Sequence, residues 1–207
     1  MKKNIRILLV DDHAILRVGL ASLLNTYDDF EVIGEAESGI LALRKAPKLK
    51  PDVVILDLLM PDMDGVETTR RLVRDNPDAH ILILSTFGTS DGISHALEAG
   101  AQGAILKNAE IGELATAIRT VADGKRFVSE ELERIMAEDP PVPELTQRQR
   151  DILGSLVRGL TSPDIARQLN ISHDMVREHT TALFKKLGAA NRTEAVAIAL
   201  RKHLLKI

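Results

Sequence analysis

The chain has 207 residues, of which 44% are apolar and 28% charged, with a net charge of −3 and no cysteine. This balance is that of an ordinary folded protein and argues against disorder, while the missing cysteines exclude disulfides, thiolate catalysis and thiolate metal sites. No apolar run is long enough to span a bilayer and no signal peptide opens the chain, so a cytoplasmic location is expected. The charge is unevenly placed. Residues 144–207 hold 11 Lys/Arg against 6 Asp/Glu, a net of +5, and residues 1–143 hold 16 against 24, a net of −8. An acidic half joined to a basic half points to nucleic-acid contact by the basic one.

From residue 1 to about 123, short apolar runs alternate with helical periodicity. Strands are predicted near 5–10, 30–35, 53–57, 80–84 and 103–106, and helices near 14–25, 38–46, 65–75, 91–99 and 111–122. Such βα alternation implies a doubly wound, five-stranded parallel sheet, flavodoxin- and CheY-like, in the order 2-1-3-4-5. Ile7-Leu8-Leu9-Val10 ends in Asp11-Asp12, and Val53-Val54-Ile55-Leu56 ends in Asp57. Ile81-Leu82-Ile83-Leu84 ends in Ser85, and Ala104-Ile105-Leu106 ends in Lys107. Ligands bind outside the carboxyl ends of strands in an open α/β sheet, so three acids, a hydroxyl and an ammonium meet in one crevice.

Next, Ser129-Glu130-Glu131-Leu132-Glu133 starts a short linker helix, and Asp139-Pro140-Pro141-Val142-Pro143 cannot continue one. The expected division is a first domain over 1–125, a linker over 126–143 and an all-helical domain over 144–207. In the latter, Thr146 and Gln149 have capping-box spacing, Ser162 is expected to cap a second helix with Pro163 at its first position, Ser172 a third and Asn191 a fourth. Two helices across the three-residue break Asn170-Ile171-Ser172 have the shape of a helix-turn-helix.

Asp11-Asp12, Asp57 with Met60-Pro61 and Asp64-Gly65, Ser85 and Lys107 resemble the receiver domain of a bacterial two-component response regulator. Leu145-Thr146-Gln147-Arg148, Ile165-Ala166 and Lys186-Leu187-Gly188 followed by Asn191-Arg192-Thr193-Glu194-Ala195 resemble the NarL/FixJ, or LuxR-type, DNA-binding domain. The resemblance covers nearly the whole chain. It implies a transcription factor, not an enzyme beyond slow self-dephosphorylation, whose Asp57 is phosphorylated by a sensor histidine kinase.

On that resemblance, Asp12, Asp57 and the Leu59 backbone carbonyl hold Mg²⁺, with Asp11 supporting through water. Lys107 and Ser85 stabilise the phosphoryl group. His13 is read as opening the first helix beside the site, not as a ligand, and Asp64-Gly65 as a turn. Ser85, Thr86 and Ala104 occupy the switch positions. The family usually carries an aromatic ring where this chain has Ala104, and alanine cannot report the site by changing rotamer. The loop from Thr86 to Gly92 has two glycines, which favours coupling by loop and helix displacement.

In the third helix of the basic domain, Val176, Thr180 or His179, Leu183 and Leu187 recur at core spacing. Arg177, Glu178, Thr181 and Lys185 lie on the opposite face, and the resemblance places Arg177, Glu178 and Thr181 nearest the bases. Lys185 and Lys186 suit phosphates. The resemblance further implies a homodimer when activated, paired through the last helix, on promoter DNA with two half-sites and with RNA polymerase nearby. Two rivals remain open. One is a constitutive regulator whose receiver serves only protein contact, with Ala104 as its motive. The other is an aspartate-nucleophile phosphatase, against which stands Leu59 where a second acid is needed.

Overall fold

The computed structural model describes residues 4–86, 90–138, 140–142, 145–202 and 204–205. Two compact units divide the chain, residues Met1–Pro140 and Pro141–Ile207. The first alternates β1 (Ile5–Val10), α1 (Ala14–Leu24), β2 (Phe30–Ala36), α2 (Gly39–Leu49), β3 (Val53–Asp57), α3 (Gly65–Asp75), β4 (Ile81–Ser85), α4 (Ser90–Glu98), β5 (Gly103–Leu106) and α5 (Ile111–Ala122). It continues into a short strand β6 (Phe127–Val128) and a helix α6 (Glu130–Glu138). All ladders are parallel, and the strand order is 2-1-3-4-5-6.

The expected order is therefore found, with six strands in place of the five expected. Phe127 N–H donates to the Gln102 carbonyl at 3.0 Å and Ser129 N–H to the Ala104 carbonyl at 3.2 Å. These bonds cover an edge that β5 would otherwise expose. Two residues of strand carry too little alternation to be read from sequence. Beyond them, α6 lies within the segment read as linker. Its Leu132 is buried in the same cluster as Ile93 and Ala96 of α4 and Ala104 and Leu106 of β5.

The sheet is buried on both faces, which is why its strands are continuous apolar runs. Alternate residues serve opposite sides. Leu8, Val10, Val54, Leu56, Ile81 and Ile83 join the core that includes Leu72 and Ile93, from α3 and α4. Ile7, Leu9, Val53, Ile55, Leu82 and Leu84 join the core that includes Leu24, Leu114 and Ile118, from α1 and α5.

Helix α2 runs past the stop expected before Pro47, to Leu49. Proline in a last turn forfeits a single amide bond, and the helix closes with Lys50 N–H on the Ala46 carbonyl at 2.8 Å. Gly92, at the overlap of the expected loop and the helix expected near 91–99, lies inside α4, where an added Cβ would come within 2.8 Å of Leu58 Cδ2. Its missing side chain lets the helix approach the end of β3. Phe87, Gly88 and Thr89 of the expected switch loop, and Pro143 of the expected linker, lie outside the described residues.

The second unit has four helices among its described residues: α7 (Gln147–Val157), α8 (Ser162–Leu169), α9 (His173–Leu187) and α10 (Arg192–Arg201). Ile152, Leu153, Ile165, Val176, Leu183, Ala195 and Ala199 form its centre. The Thr146–Gln149 capping box is present, Ser172 Oγ accepts from Met175 N–H, and Asn191 Oδ1 accepts from Glu194 N–H. The cap of α8 is a correction. Thr161, not Ser162, is the N-cap, in a capping box with Asp164, so Ser162 is the first helical residue and Pro163 the second. Asp164 wins the register because it stands three residues after Thr161, where it can reach back to the Thr161 amide. Asn170 ends α8 at φ 51°, a left-handed conformation that asparagine tolerates, and this turns the chain into α9.

Candidate acidic site and nucleic-acid interface

The carboxyl ends of β1, β3, β4 and β5 bring the expected groups together. Asp11 and Asp57 are each only 2% exposed. Lys107, whose amide donates to the Ser85 carbonyl at 2.7 Å, extends its ammonium between the two acids. Lys107 Nζ lies 2.7 Å from Asp57 Oδ2 and 2.8 Å from Asp11 Oδ2. The second Asp57 oxygen accepts the Leu59 amide at 3.2 Å. Burial pushes the Asp57 carboxyl above its ordinary range, and the Lys107 hydrogen bond and charge pull it back only in part. Burial presses the Lys107 ammonium downward, but its bonds to Asp11 and Asp57 outweigh that and hold it above the usual lysine value.

One donor atom from each of Asp11, Asp12, His13 and Asp57 lies within 4.8 Å of the others. His13 is the N-cap of α1, as expected, but its ring faces the acids, with Nδ1 2.9 Å from Asp12 Oδ1 and 3.2 Å from Asp11 Oδ1. Three carboxylates against a single ammonium leave surplus negative charge on hard oxygen donors, a set that fits Mg²⁺. The position two residues beyond Asp57 is an exposed leucine, Leu59, and so offers no second acid.

Gly65 positions the end of β3. Its amide donates to the Leu58 carbonyl at 2.9 Å, and an added Cβ would stand 2.6 Å from the Asp57 carbonyl oxygen. Asp64 caps α3 by accepting from Glu67 N–H at 2.9 Å. Ser85, nearly fully buried, donates its hydroxyl to the carbonyl of Thr86 at 3.1 Å, and Thr86 is exposed. Ala104 is wholly buried beside β6.

Sequence reasoning missed Arg17 and Glu35. Arg17 NH1 donates to the Asp11 carbonyl at 2.7 Å and its Nε to Glu35 Oε2 at 3.0 Å. A signal was available: Arg17 is the lone charged residue in the α1 sequence AILRVGLASLL.

In the second unit, Arg177, Glu178, Thr181 and Lys185 are exposed on one face of α9, and with Asp174 and Ala182 they line a shallow concavity. Lys186 is half-buried. Val176, Leu183 and Leu187 face the core, and His179 and Thr180 are both partly buried at its edge. The Thr181 hydroxyl donates to the Arg177 carbonyl at 2.9 Å.

Two family models match the chain, the response regulator receiver domain over residues 7–119 and the bacterial regulatory proteins of the luxR family over residues 143–199. The transcriptional regulatory protein LiaR of Bacillus subtilis is 37% identical, with 97% of this chain and 99% of LiaR covered. A crystal structure of the response regulator ChrA, from a heme-sensing two-component system, is 35% identical with a TM-score of 0.58, covering 98% of this chain and 99% of ChrA. A structure of two RcsB dimers bound to two parallel DNAs is 25% identical with a TM-score of 0.68, covering 96% and 99%.

Proposed function

The chain belongs to the response regulators that join a receiver domain to a LuxR-type DNA-binding domain, and from that premise we propose that Asp57 is its phosphoacceptor. It is a two-component response regulator and a DNA-binding transcriptional regulator. The observation that carries the Asp57 reading is the Lys107 ammonium held between Asp11 and Asp57 at the ends of three strands. A sensor histidine kinase supplies the phosphoryl group, which passes from a phosphohistidine nitrogen to an Asp57 oxygen. Asp12, Asp57 and the Leu59 carbonyl would hold Mg²⁺, with Asp11 supporting through water. When bound, the ion offsets charge on the transferring phosphoryl oxygens. Lys107 stays ionised beside Asp57 and meets the same oxygens. The phosphoryl-aspartate is lost slowly by self-hydrolysis, since position 59 offers no general base.

Ser85 now donates to Thr86, and moving its hydroxyl onto a phosphoryl oxygen would release that carbonyl. With Ala104 in place of a ring, the movement passes by displacement of α4. Leu132 of α6 packs on α4 and β5, so the start of the connection to the DNA-binding domain rests on the moving elements. This favours phosphorylation as the switch over a receiver used for contact alone.

Activation yields a homodimer, acting in the cytoplasm on promoter DNA with two half-sites and within reach of RNA polymerase. Helix α9 enters the major groove. Arg177, Glu178 and Thr181 read base edges, Arg through guanine, Glu through a cytosine amino group and Thr through a thymine methyl. Lys185 and Lys186 meet phosphates. The test is the mass in solution by light scattering, with Mg²⁺, with and without beryllofluoride, for wild type and Asp57→Asn. A monomer-to-dimer shift in wild type alone is expected. No shift in either chain would turn the reading to the constitutive regulator.

A further inference from the structure

Arg17 is the one charged group on α1, and its guanidinium is spent on two acceptors that belong to other elements. One is the main-chain carbonyl of Asp11, the other the carboxylate of Glu35 near the end of β2. The side chain is only 14% exposed. We propose that Arg17 is a positioning residue for phosphoryl acceptance, clamping the β1–α1 connection so that Asp11 and Asp12 face the Asp57 site. This rests on the reading of Asp11 and Asp12 as the acids that serve the cation.

The physical need is plain. Strand β1 ends at Val10, and Asp11 keeps one ladder bond, from its amide to the Ala36 carbonyl at 3.1 Å. Past that point the peptide joining Asp11 to Asp12 has no strand partner on its carbonyl side. Three carboxylates converge there, and their mutual repulsion favours swinging the loop outward. The Arg17 bond fixes that carbonyl and with it the plane of the Asp11–Asp12 peptide. One peptide further on, the His13 amide donates to Asp11 Oδ1 at 2.7 Å. Glu35 in turn holds the guanidinium, so the clamp links the ends of the two neighbouring strands β1 and β2. Arginine suits the task because its rigid fork serves two acceptors at once, whereas a lysine ammonium on a flexible stem does not fix both directions. Groups that orient metal-binding side chains from behind typically change metal affinity by about 10- to 100-fold when removed.

The experiment uses the full-length chain as wild type, Arg17→Ala, Arg17→Lys and Glu35→Gln. Amide exchange at Asp12 and His13 is followed by NMR without metal, and Mg²⁺ binding by calorimetric titration, with thermal unfolding in EDTA run beside both. Arg17→Ala is expected to exchange faster at these two amides and to bind Mg²⁺ about tenfold more weakly. Glu35→Gln should move both readouts in the same direction by less, and Arg17→Lys should recover only part of the affinity. Unchanged exchange at Asp12 and His13 in Arg17→Ala would overturn the proposal. So would wild-type Mg²⁺ affinity in that variant, or full recovery by Arg17→Lys, which would leave charge alone as its role. A wild type that binds no Mg²⁺ would sink the Asp57 reading instead, and the exchange data would still decide whether Arg17 holds the loop.

Discussion

Asp57, the proposed phosphoacceptor, sits where burial costs stability. Its carboxyl is buried and its pKa raised, chiefly by that burial, so in the metal-free protein the ionised form costs folding energy. For an acid with a raised folded-state pKa the penalty is complete above that pKa and fades as pH falls, vanishing below the unfolded value of about 4. Asp57→Asn is therefore expected to melt at a higher temperature than wild type in EDTA at neutral pH, with the gap closing in acid. Thermal unfolding of both chains at stepped pH checks this, and a lower Tm for Asp57→Asn at neutral pH would contradict it. Ala104 gives the opposite kind of prediction. It is fully enclosed between α4, α6 and the sheet, so restoring a ring by Ala104→Phe overpacks that core. A loss of about 1–3 kcal/mol in urea unfolding is expected. The acids, Ser85 and Lys107 were legible in the sequence because each ends an apolar run and strand ends share one edge. Arg17 was not, since its partners are a main-chain carbonyl and a residue 18 positions away.

Among the elements, α6 carries the most consequence. Its sequence reads as a linker helix rich in glutamate, yet Leu132 is 1% exposed in the receiver core. Leu132→Ala should cost about 2–5 kcal/mol, the range for emptying a buried leucine site. It should also weaken the beryllofluoride response in light scattering. An unchanged response despite the lost stability would mean that α6 supports the fold without relaying the switch. In α9 the proposed division between base and phosphate contacts gives separable outcomes. Arg177→Ala should cost about 1–3 kcal/mol on one operator sequence and relax discrimination at one base pair. Lys185→Ala should weaken all sequences alike and lower the slope of log affinity against log salt by about 1. Fluorescence anisotropy on a matched and a mismatched operator distinguishes the two. The helices of this unit were readable because their caps are local, each side chain reaching an amide three residues on. The same locality explains the error at α8. Ser162 and Thr161 are both good caps, and Asp164 selects between them only through its spacing.

For the molecule as a whole, the basic unit is the DNA-binding domain, and the acidic unit is the receiver proposed to take the phosphoryl group. A dimer brings two recognition helices and twice the phosphate contacts. With beryllofluoride, operator binding should become both tighter and more steeply salt-dependent, because each phosphate neutralised adds about 0.9 to the slope. Tighter binding at an unchanged slope would mean that activation improves one contact set and does not add a second. The amino-acid sequence by itself determined the parallel sheet and its order, the acidic crevice, the helix-turn-helix and the face of α9 opposite its core. All of these follow from periodicity and from end-of-strand chemistry, which are local patterns. Only the tertiary structure decided the sixth strand, the docking of α6 on α4 and β5, the packing role of Gly92 and the Arg17–Glu35 clamp. These depend on which surfaces meet after the chain has folded, and a residue such as Arg17 can stand out in its own helix without its sequence naming the partner it meets.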